Sequence, residues 1–208
     1  MLSNSWNTIF EHIIMDTTSW TIRDAQINAR GAKYCLIEDL KPKSNDNKIR
    51  FSIGTKENPT STPFGAGTYN GEEAKRKTIE FTLSQEDEET LQCIYEWTVP
   101  YLAKHSERLF RKNLSPEQVV DTLKHPIIKK GDYRSQIRCK LDTSGSNSVR
   151  CWSTTGQRVA LPEDLRGYKL LPRIVLSHMW CMTKECGFVF LVTDLQLLES
   201  EQEVCPFL

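Results

Sequence analysis

Hydrophobic and polar residues alternate along residues 133–152 in the way that is typical of strands with one buried face. On the first segment one face would carry Tyr133, Ile137, Cys139 and Leu141, and the other Arg134, Gln136, Arg138 and Lys140. On the second segment Val149 and Cys151 would oppose Arg150 and Trp152. Residues 142–147 have the composition of a turn. The pattern predicts a β-hairpin with one apolar face and one face that carries four cations and an indole.

Further strands are predicted where apolar residues alternate or form short runs bounded by turn residues. They cover residues 34–40, 49–53, 78–83, 158–161, 173–180 and 187–197, and the first two should pair as a hairpin. In the last strand the predicted core face consists of Val189, Leu191, Leu195 and Leu197. Phe188 and Phe190 would lie on the opposite face, open to a ligand.

Helical periodicity predicts an insertion of helices between residues 84 and 125, and residues 6–13 have a spacing that a short helix or a terminal segment docked on the core could explain. Ser84 and Ser115 resemble helix caps, Pro116 suits a first helical turn, and Pro100 should kink or divide the first helix. Strands, a helical insertion and more strands predict a mainly β protein with inserted helices (α+β), built as a small antiparallel barrel or sandwich. We expect one domain over residues 1–198 and an acidic C-terminal tail over residues 199–208.

The net charge of zero conceals basic and acidic blocks. Residues 129–173 contain ten Lys or Arg and four Asp or Glu, whereas residues 84–97 contain five acids and no base. The last ten residues carry Glu199, Glu201 and Glu203 and no base. The basic block therefore coincides with the predicted hairpin.

Cations beside an exposed aromatic ring suit a single nucleic-acid strand, because the cations meet phosphates and the ring stacks on an unpaired base. The candidates are Arg134, Arg138, Lys140, Arg150 and Trp152, with Lys75, Arg76 and Lys77 preceding another strand, and Phe64, Tyr69 and Phe188 as further rings. An ordinary alternative stays open, in which Trp152 belongs to the core and the arginines keep an outer strand face soluble. Phe64 could equally fasten its long loop onto the core.

Other classes of function find little support in the sequence. It contains no nucleophile elbow, phosphate loop or H-E-x-x-H motif, so we expect no enzyme and no cofactor. His178, Cys181 and Cys186 have zinc-like spacing but lack a fourth ligand, and we expect no metal. The odd number of cysteines, seven, argues against a disulfide framework. No apolar run would cross a bilayer and no leader pattern opens the chain, which predicts an intracellular protein without a membrane partner.

A family resemblance rests on the order of several short motifs. These are residues 63–65 (PFG), a basic-led strand, an acidic helix, the 133–140 strand, Trp180 in a late strand, residues 187–188 (GF), and an acidic tail ending near Phe207. In this order the chain resembles the single-stranded-DNA-binding proteins of large DNA viruses, and more distantly those of tailed phages. The likeness covers about residues 30–208.

The resemblance implies a five-stranded antiparallel barrel of the oligonucleotide-binding type, which binds single-stranded DNA without sequence preference in replication, recombination or repair. Arg134, Arg138 and Lys140 would contact the DNA backbone. The tail, with Glu199, Glu201, Glu203, Pro206 and Phe207, would occupy the groove or recruit replication proteins. Such a protein would act in the nucleus or at a cytoplasmic viral replication site. RNA as the ligand, a homodimer, and a β-rich interaction or structural module without nucleic acid remain open alternatives.

Overall fold

The structure is a computed structural model, and it describes residues 15–29, 31–42, 46–67, 76–146, 148–182 and 184–198. The protein is mainly β with three helices between its seventh and eighth strands. The strands are β1 Trp20–Ile22, β2 Gln26–Ile27, β3 Lys33–Cys35, β4 Ile37–Asp39, β5 Ile49–Ser52, β6 Ala66–Gly67, β7 Arg76–Thr82, β8 Ile127–Ile128, β9 Gln136–Asp142, β10 Arg150–Trp152, β11 Arg158–Val159, β12 Lys169–Cys181 and β13 Cys186–Leu198. The helices are α1 Gln85–Lys104, α2 Ser106–Phe110 and α3 Pro116–Thr122.

A long antiparallel hairpin, β12–β13, forms the centre of the main sheet. The free edge of β12 pairs first with β3 and then with β5, both antiparallel. The free edge of β13 pairs first with β9 and then with β10, both parallel. β7 continues the sheet beyond β9, and β6 lies beyond β7. Each edge of the central hairpin is therefore lined by two short strands that run in the same direction.

Both hairpins predicted from the sequence at these edges are wrong. β9 and β10 do not pair with each other, because the loop between them closes on itself through a bond from the Val149 N–H to the Asp142 carbonyl at 2.8 Å. After this loop the chain continues as β10, which pairs with β13 as β9 does. Similarly, β5 pairs with β12, while β4 pairs with β1. The chain thus returns to an edge that it has already lined, with β5 following β3 beside β12 and β10 following β9 beside β13.

Two irregularities in the central hairpin change which residues face the core. The pairing shifts between Arg173 and Ile174, where Thr193 is the extra residue of β13, and again at Ser177 of β12. Each extra residue reverses the alternation of side chains. As a result Phe190, Val192 and Leu195 are all buried.

The predicted core face of β13 is correct only beyond this bulge. Val189 and Leu191 lie on the face away from the core, and Phe188 and Phe190 lie towards it. The ring of Phe190 packs edge-on against Phe51, with 5.9 Å between centroids. The interpretation of Phe188 and Phe190 as open to a ligand is therefore wrong.

The helices cover the core side of the sheet. Buried residues of α1 join the same cluster as the inward side chains of β7, β9, β12 and β13. Both predicted serine caps form, and each is a capping box, at Ser84 with Asp87 and at Ser115 with Gln118. Helix α1 runs through Pro100 to Lys104 without dividing. The opposite face of the sheet is left free of helices in the described part of the chain.

The predicted closed five-stranded barrel is not formed by the described residues, since no ladder joins β5 to β7. At one end, however, the segment at Thr60 and Ser61 bridges the gap. The Thr60 N–H donates to the Leu170 carbonyl at 3.0 Å, and the Thr82 N–H donates to the Ser61 carbonyl at 3.0 Å. The architecture is consistent with a partly open α+β sheet of the oligonucleotide-binding type. None of the helices described is long and apolar enough to span a bilayer.

Candidate nucleic-acid interface

Residues that are paired directly across neighbouring strands lie on the same face of a sheet. The register therefore defines a continuous outward face, on the side away from the hydrophobic core. One row across it consists of Ser52, Arg173, Asp194 and Arg150. A second row consists of Arg50, Val175, Leu191, Lys140 and Thr78. The outward face thus joins residues from β5, β7, β9, β10, β12 and β13.

Basic side chains outnumber acidic ones on the outward face. The register assigns eight cations to it, namely Arg50, Arg76, Arg138, Lys140, Arg150, Arg158, Lys169 and Arg173. It assigns three carboxylates to it, namely Glu80, Asp142 and Asp194. Most cations of the predicted hairpin are therefore brought together, although the hairpin itself does not exist.

An open pocket of about 520 Å³ lies at one end of the outward face. Its lining includes Trp152, Arg150 and Arg173 from the sheet, with Gly54 and Gly156 from two flanking loops. Arg173 is exposed and makes no ion pair with another described residue. Trp152 is half-buried, and its neighbour Cys151 is directed into the protein. The pocket combines a partly accessible indole with a guanidinium that has no ion pair among the described residues.

Asp194 connects the ring and one cation of this pocket. Its carboxylate accepts a hydrogen bond from the Trp152 indole N–H at 3.0 Å and from Arg150 Nη2 at 2.8 Å. Burial alone would raise the pKa of Asp194, but the bonds from Arg150, Trp152 and Thr193 hold this pKa below its ordinary value. At neutral pH the carboxylate is charged and orients both side chains.

The part of the outward face formed by β7 and β9 is a ladder of polar pairs. Arg76 pairs with Asp142, Lys140 Nζ donates to Thr78 Oγ1 at 3.1 Å, and Arg138 pairs with Glu80 at 2.7 Å. Burial, and then the neighbouring Arg138 and Arg76, lower the pKa of Lys140. Here the cations predicted to contact DNA are already engaged by the protein's own side chains, unlike Arg173.

Phe64 lies at the edge of this ladder, in the loop before β6. Its side chain is 62% exposed, and Lys130 Nζ lies 5.7 Å from the ring centroid. Lys130 also donates to Glu80 at 3.2 Å, which links the ring to the ladder. Gly65 next to it adopts a positive φ of 65°, which favours glycine. This exposure favours a Phe64 ring that is accessible to a ligand over one that fastens the loop onto the core.

Several sequence candidates lie elsewhere. Lys77 is paired with the fully buried Leu141 and so points away from the outward face. Phe188 points to the core side, with its ring centroid 5.9 Å from that of Phe190. Arg134 is exposed but precedes β9. The predicted candidates Tyr69, Lys75, Glu199, Glu201, Glu203, Pro206 and Phe207 lie outside the described residues.

Two further residues of the predicted hairpin also lie differently from the prediction. Gln136, predicted to face outward, is buried, and its Oε1 atom has no hydrogen-bond partner in the described part of the chain. Tyr133, predicted on the apolar face, is exposed. Conversely, sequence reasoning missed Arg173, Arg158 and Lys130 as site cations, and Asp194 as the residue that holds Trp152. A cation opening a run of apolar residues, as Arg173 does before residues 174–176, was the available signal.

The thiols and histidines considered for zinc do not form a metal cluster in the described part of the chain. The Sγ atoms of Cys35 and Cys181 lie 3.8 Å apart, and both residues are buried. His178 Nδ1 instead lies 3.0 Å from Ser177 Oγ. Burial raises the pKa of Cys139, as expected of an unreactive core thiol.

Comparison with known proteins gives likenesses of fold. No protein-family model and no curated protein sequence matches the chain. Among solved structures, the chain is similar to gp2.5, a single-stranded DNA binding protein encoded by bacteriophage T7, with a TM-score of 0.50 and 13% identity. That match covers 73% of this chain and 87% of the phage protein.

A second similar structure is the single-stranded DNA-binding protein from bacteriophage Enc34, in complex with single-stranded DNA. Its TM-score is 0.43 at 13% identity, and the match covers 88% of this chain and 97% of that one. At these identities, it is the likeness to the T7 protein that indicates a shared fold.

Proposed function

We propose that this protein is a non-enzymatic binder of single-stranded DNA that acts without sequence preference in replication, recombination or repair. The observation that supports this proposal is the outward face, where Arg150, Arg173 and Trp152 surround an open pocket. Cations beside an accessible aromatic ring are the combination that a single strand requires.

The pocket suits one unstacked nucleotide. Its volume, about 520 Å³, lies within the range of pockets that hold one small ligand. Trp152 would stack on the base, and Arg150 and Arg173 would meet the flanking phosphates. Arg76, Arg138 and Lys140 would continue the track of positive charge along β7 and β9.

A duplex should bind more weakly than a single strand. In a duplex the base faces are stacked on each other, so that Trp152 and the pocket would have nothing to bind and only phosphate contacts would remain. None of these contacts reads a base edge, and for that reason we propose little dependence on sequence. RNA offers the same phosphates and base faces, and is compared directly in the test below.

The tail also belongs to this proposal. It follows Leu198, only two residues beyond Gln196, which is paired with Trp152 and lines the same pocket. Carboxylates at Glu199, Glu201 and Glu203 would compete with phosphates for this cationic groove. When DNA displaces the tail, Pro206 and Phe207 would become free to recruit replication proteins.

Fluorescence anisotropy with labelled (dT)12, (rU)12 and a 12-base-pair duplex, each at two salt concentrations, tests the proposal. We expect the strands to bind more tightly than the duplex, with affinity falling steeply as salt increases. Equal affinity for strand and duplex would contradict single-strand binding. Failure to bind any of the three would favour the alternative of a protein-interaction module.

A further inference from the structure

A second group of aromatic side chains lies at the other end of the outward face. Trp180 of β12 is paired with Tyr34 on one side and with Gly187 on the other. Its neighbours Met179 and Cys181 are buried in the core, so Trp180 points outward. His178 is likewise outward, and its ring lies 5.5 Å from that of Tyr34 at an interplanar angle of 71°. We call Tyr34, His178 and Trp180 the distal aromatic cluster.

The cluster is positioned by specific contacts. A Cβ atom at Gly187 would lie only 2.9 Å from the Trp180 indole, so the indole occupies the space that a side chain at residue 187 would take. The Tyr34 hydroxyl donates to Gln26 Oε1 at 2.6 Å, which fixes its ring. All three rings are half-buried, so each keeps an accessible part.

The electrostatic surroundings of the cluster suit a phosphate backbone. Burial, and then the positive charge of Arg76, lower the pKa of His178. Arg138 precedes Cys139, which is paired with Phe190, and His178 is paired with Val189 on the other side of β13, so Arg138 is the ladder cation level with the distal aromatic cluster. The track of positive charge connects the distal aromatic cluster with the Trp152 pocket.

The separation of the two aromatic sites suits a strand of several nucleotides. Gln196 beside Trp152 and Gly187 beside Trp180 are nine positions apart on β13. At roughly 3.3 Å per residue this spans about 30 Å. A stacked strand rises by about 3.4 Å per nucleotide, so roughly nine nucleotides fill this distance. Oligonucleotide-binding folds occupy about 4–16 nucleotides.

We propose that Tyr34, His178 and Trp180 form a second base-stacking site, and that a bound strand lies along β12–β13 from the Trp152 pocket to this cluster. The inference rests on the proposed function and extends it by assigning a further site and a path. A short oligonucleotide would reach only one of the two aromatic sites, whereas a longer one would bind both at once.

Binding of (dT)4 and (dT)12 to the full chain and to Trp180→Leu, Trp180→Phe and Trp152→Leu tests this path. Trp180→Leu should weaken (dT)12 binding by roughly 5- to 100-fold, as expected for the loss of one stacked base, and (dT)4 binding by less than about threefold. Trp180→Phe, which retains a ring, should keep most of the (dT)12 affinity. Tyr95→Leu is the matched control, since Tyr95 lies on α1, on the core side of the sheet, and its ring centroid is 4.4 Å from that of His125.

The results distinguish a failure of the second stacking site from a failure of single-strand binding itself. If Trp152→Leu weakens (dT)12 binding and Trp180→Leu does not, the second site is wrong and the proposed function stands. If the unmodified protein binds neither oligonucleotide, both fail. Equal losses for Trp180→Leu and Trp180→Phe would indicate a structural role for Trp180 and would also overturn the stacking site. Thermal unfolding of each variant identifies any loss that is due to misfolding.

Discussion

The indole N–H of Trp152 donates a hydrogen bond to Asp194 Oδ1 at 3.0 Å, and this bond fixes the ring that we assign to base stacking. The other carboxylate oxygen accepts from Arg150 at 2.8 Å. One acid therefore holds both the ring and the cation that we propose to contact a bound strand. The same charge partly neutralises Arg150, so Asp194 orients the site and weakens its attraction for phosphates.

Asp194→Asn should therefore strengthen binding. An asparagine Oδ1 can still accept from the indole, but it no longer neutralises Arg150. We expect up to about tenfold tighter binding of (dT)12 at low salt, and a slope of log affinity against log salt that is steeper by about 0.7, the value for one further phosphate contact to a single strand. Asp24→Asn, at an exposed ion pair with Arg108 outside the face, should change neither. Weaker binding by Asp194→Asn would show that the orientation of Arg150 matters more than its charge.

The two groups of cations on the outward face should differ in effect. Arg150→Ala with Arg173→Ala should reduce affinity by roughly 10- to 100-fold at moderate salt, because Arg173 has no ion partner among the described residues. Arg138→Ala with Lys140→Ala should cost less, because Arg138 is already paired with Glu80. Titrations of both double variants with (dT)12 measure this difference.

Arg23→Ala with Lys124→Ala provides the control for lost charge, since both residues form surface ion pairs elsewhere, with Glu38 and Glu185. This control should bind as the parent does. The ranking of cations would be contradicted if the Arg138 and Lys140 variant lost more affinity than the Arg150 and Arg173 variant.

Removal of residues 199–208 should tighten binding at low salt. The removed carboxylates compete with phosphates, and this competition is screened as ionic strength rises. The full and truncated chains should therefore converge at high salt in an anisotropy titration. Replacement of Glu199, Glu201 and Glu203 by Gln should reproduce the truncation. If the affinity is unchanged at every salt concentration, the tail does not compete for the groove.

Glu80 should make the stability of the fold depend on acid pH. Burial alone would raise the pKa of Glu80, but hydrogen bonds from Arg138 and Lys130 hold this pKa below its usual value. A carboxyl whose pKa is lower in the folded state stabilises the protein above its unfolded pKa of about 4.3. That contribution is lost as pH falls through the folded pKa.

Urea unfolding at several pH values measures this contribution. Glu80→Gln should lower the free energy of unfolding by about 1 kcal/mol at pH 7, since its partners are half-exposed, and by less below pH ~4. Glu38→Gln, whose carboxylate pairs with the exposed Arg23, is the control. If Glu80→Gln lowers the free energy of unfolding equally at both pH values, the side chain of Glu80 stabilises the fold by packing and not by its charge.

The sequence predicted local features of the fold well. Alternation identified Ile137, Cys139 and Leu141 as buried, and the two serine caps start helices where expected. These features depend on a few neighbouring residues, and a sequence pattern records them directly. The mainly β class with inserted helices follows from the same information.

Strand pairing could not be predicted from the same patterns. The turn-like residues 142–147 suggested a hairpin, yet the loop closes at Asp142 and Val149 and the chain continues along β13. Pairing energies come from strands distant in sequence, which the local pattern does not contain. The bulge at Thr193 likewise follows from packing between strands, and it reversed the predicted orientation of Phe188.

The candidate site was predicted only in part, because it too depends on strands that are distant in the sequence. Arg150 and Trp152 were recognised as a pair, and the structure places them on one face with Arg138 and Lys140. Their compensation by Asp194 and Glu80 was not visible, because those acids come from other strands. A list of cations therefore overstates the free positive charge of a sheet surface.

Photo-crosslinking with a (dT)12 oligonucleotide that carries 5-iododeoxyuridine at each position in turn tests most directly whether the outward face binds a single strand. We predict that mass spectrometry will find the crosslinks on peptides containing Trp152 near one end of the oligonucleotide and on peptides containing Tyr34 or Trp180 near the other. Crosslinks confined to α1–α3, or distributed over the surface without regard to position, would contradict the account.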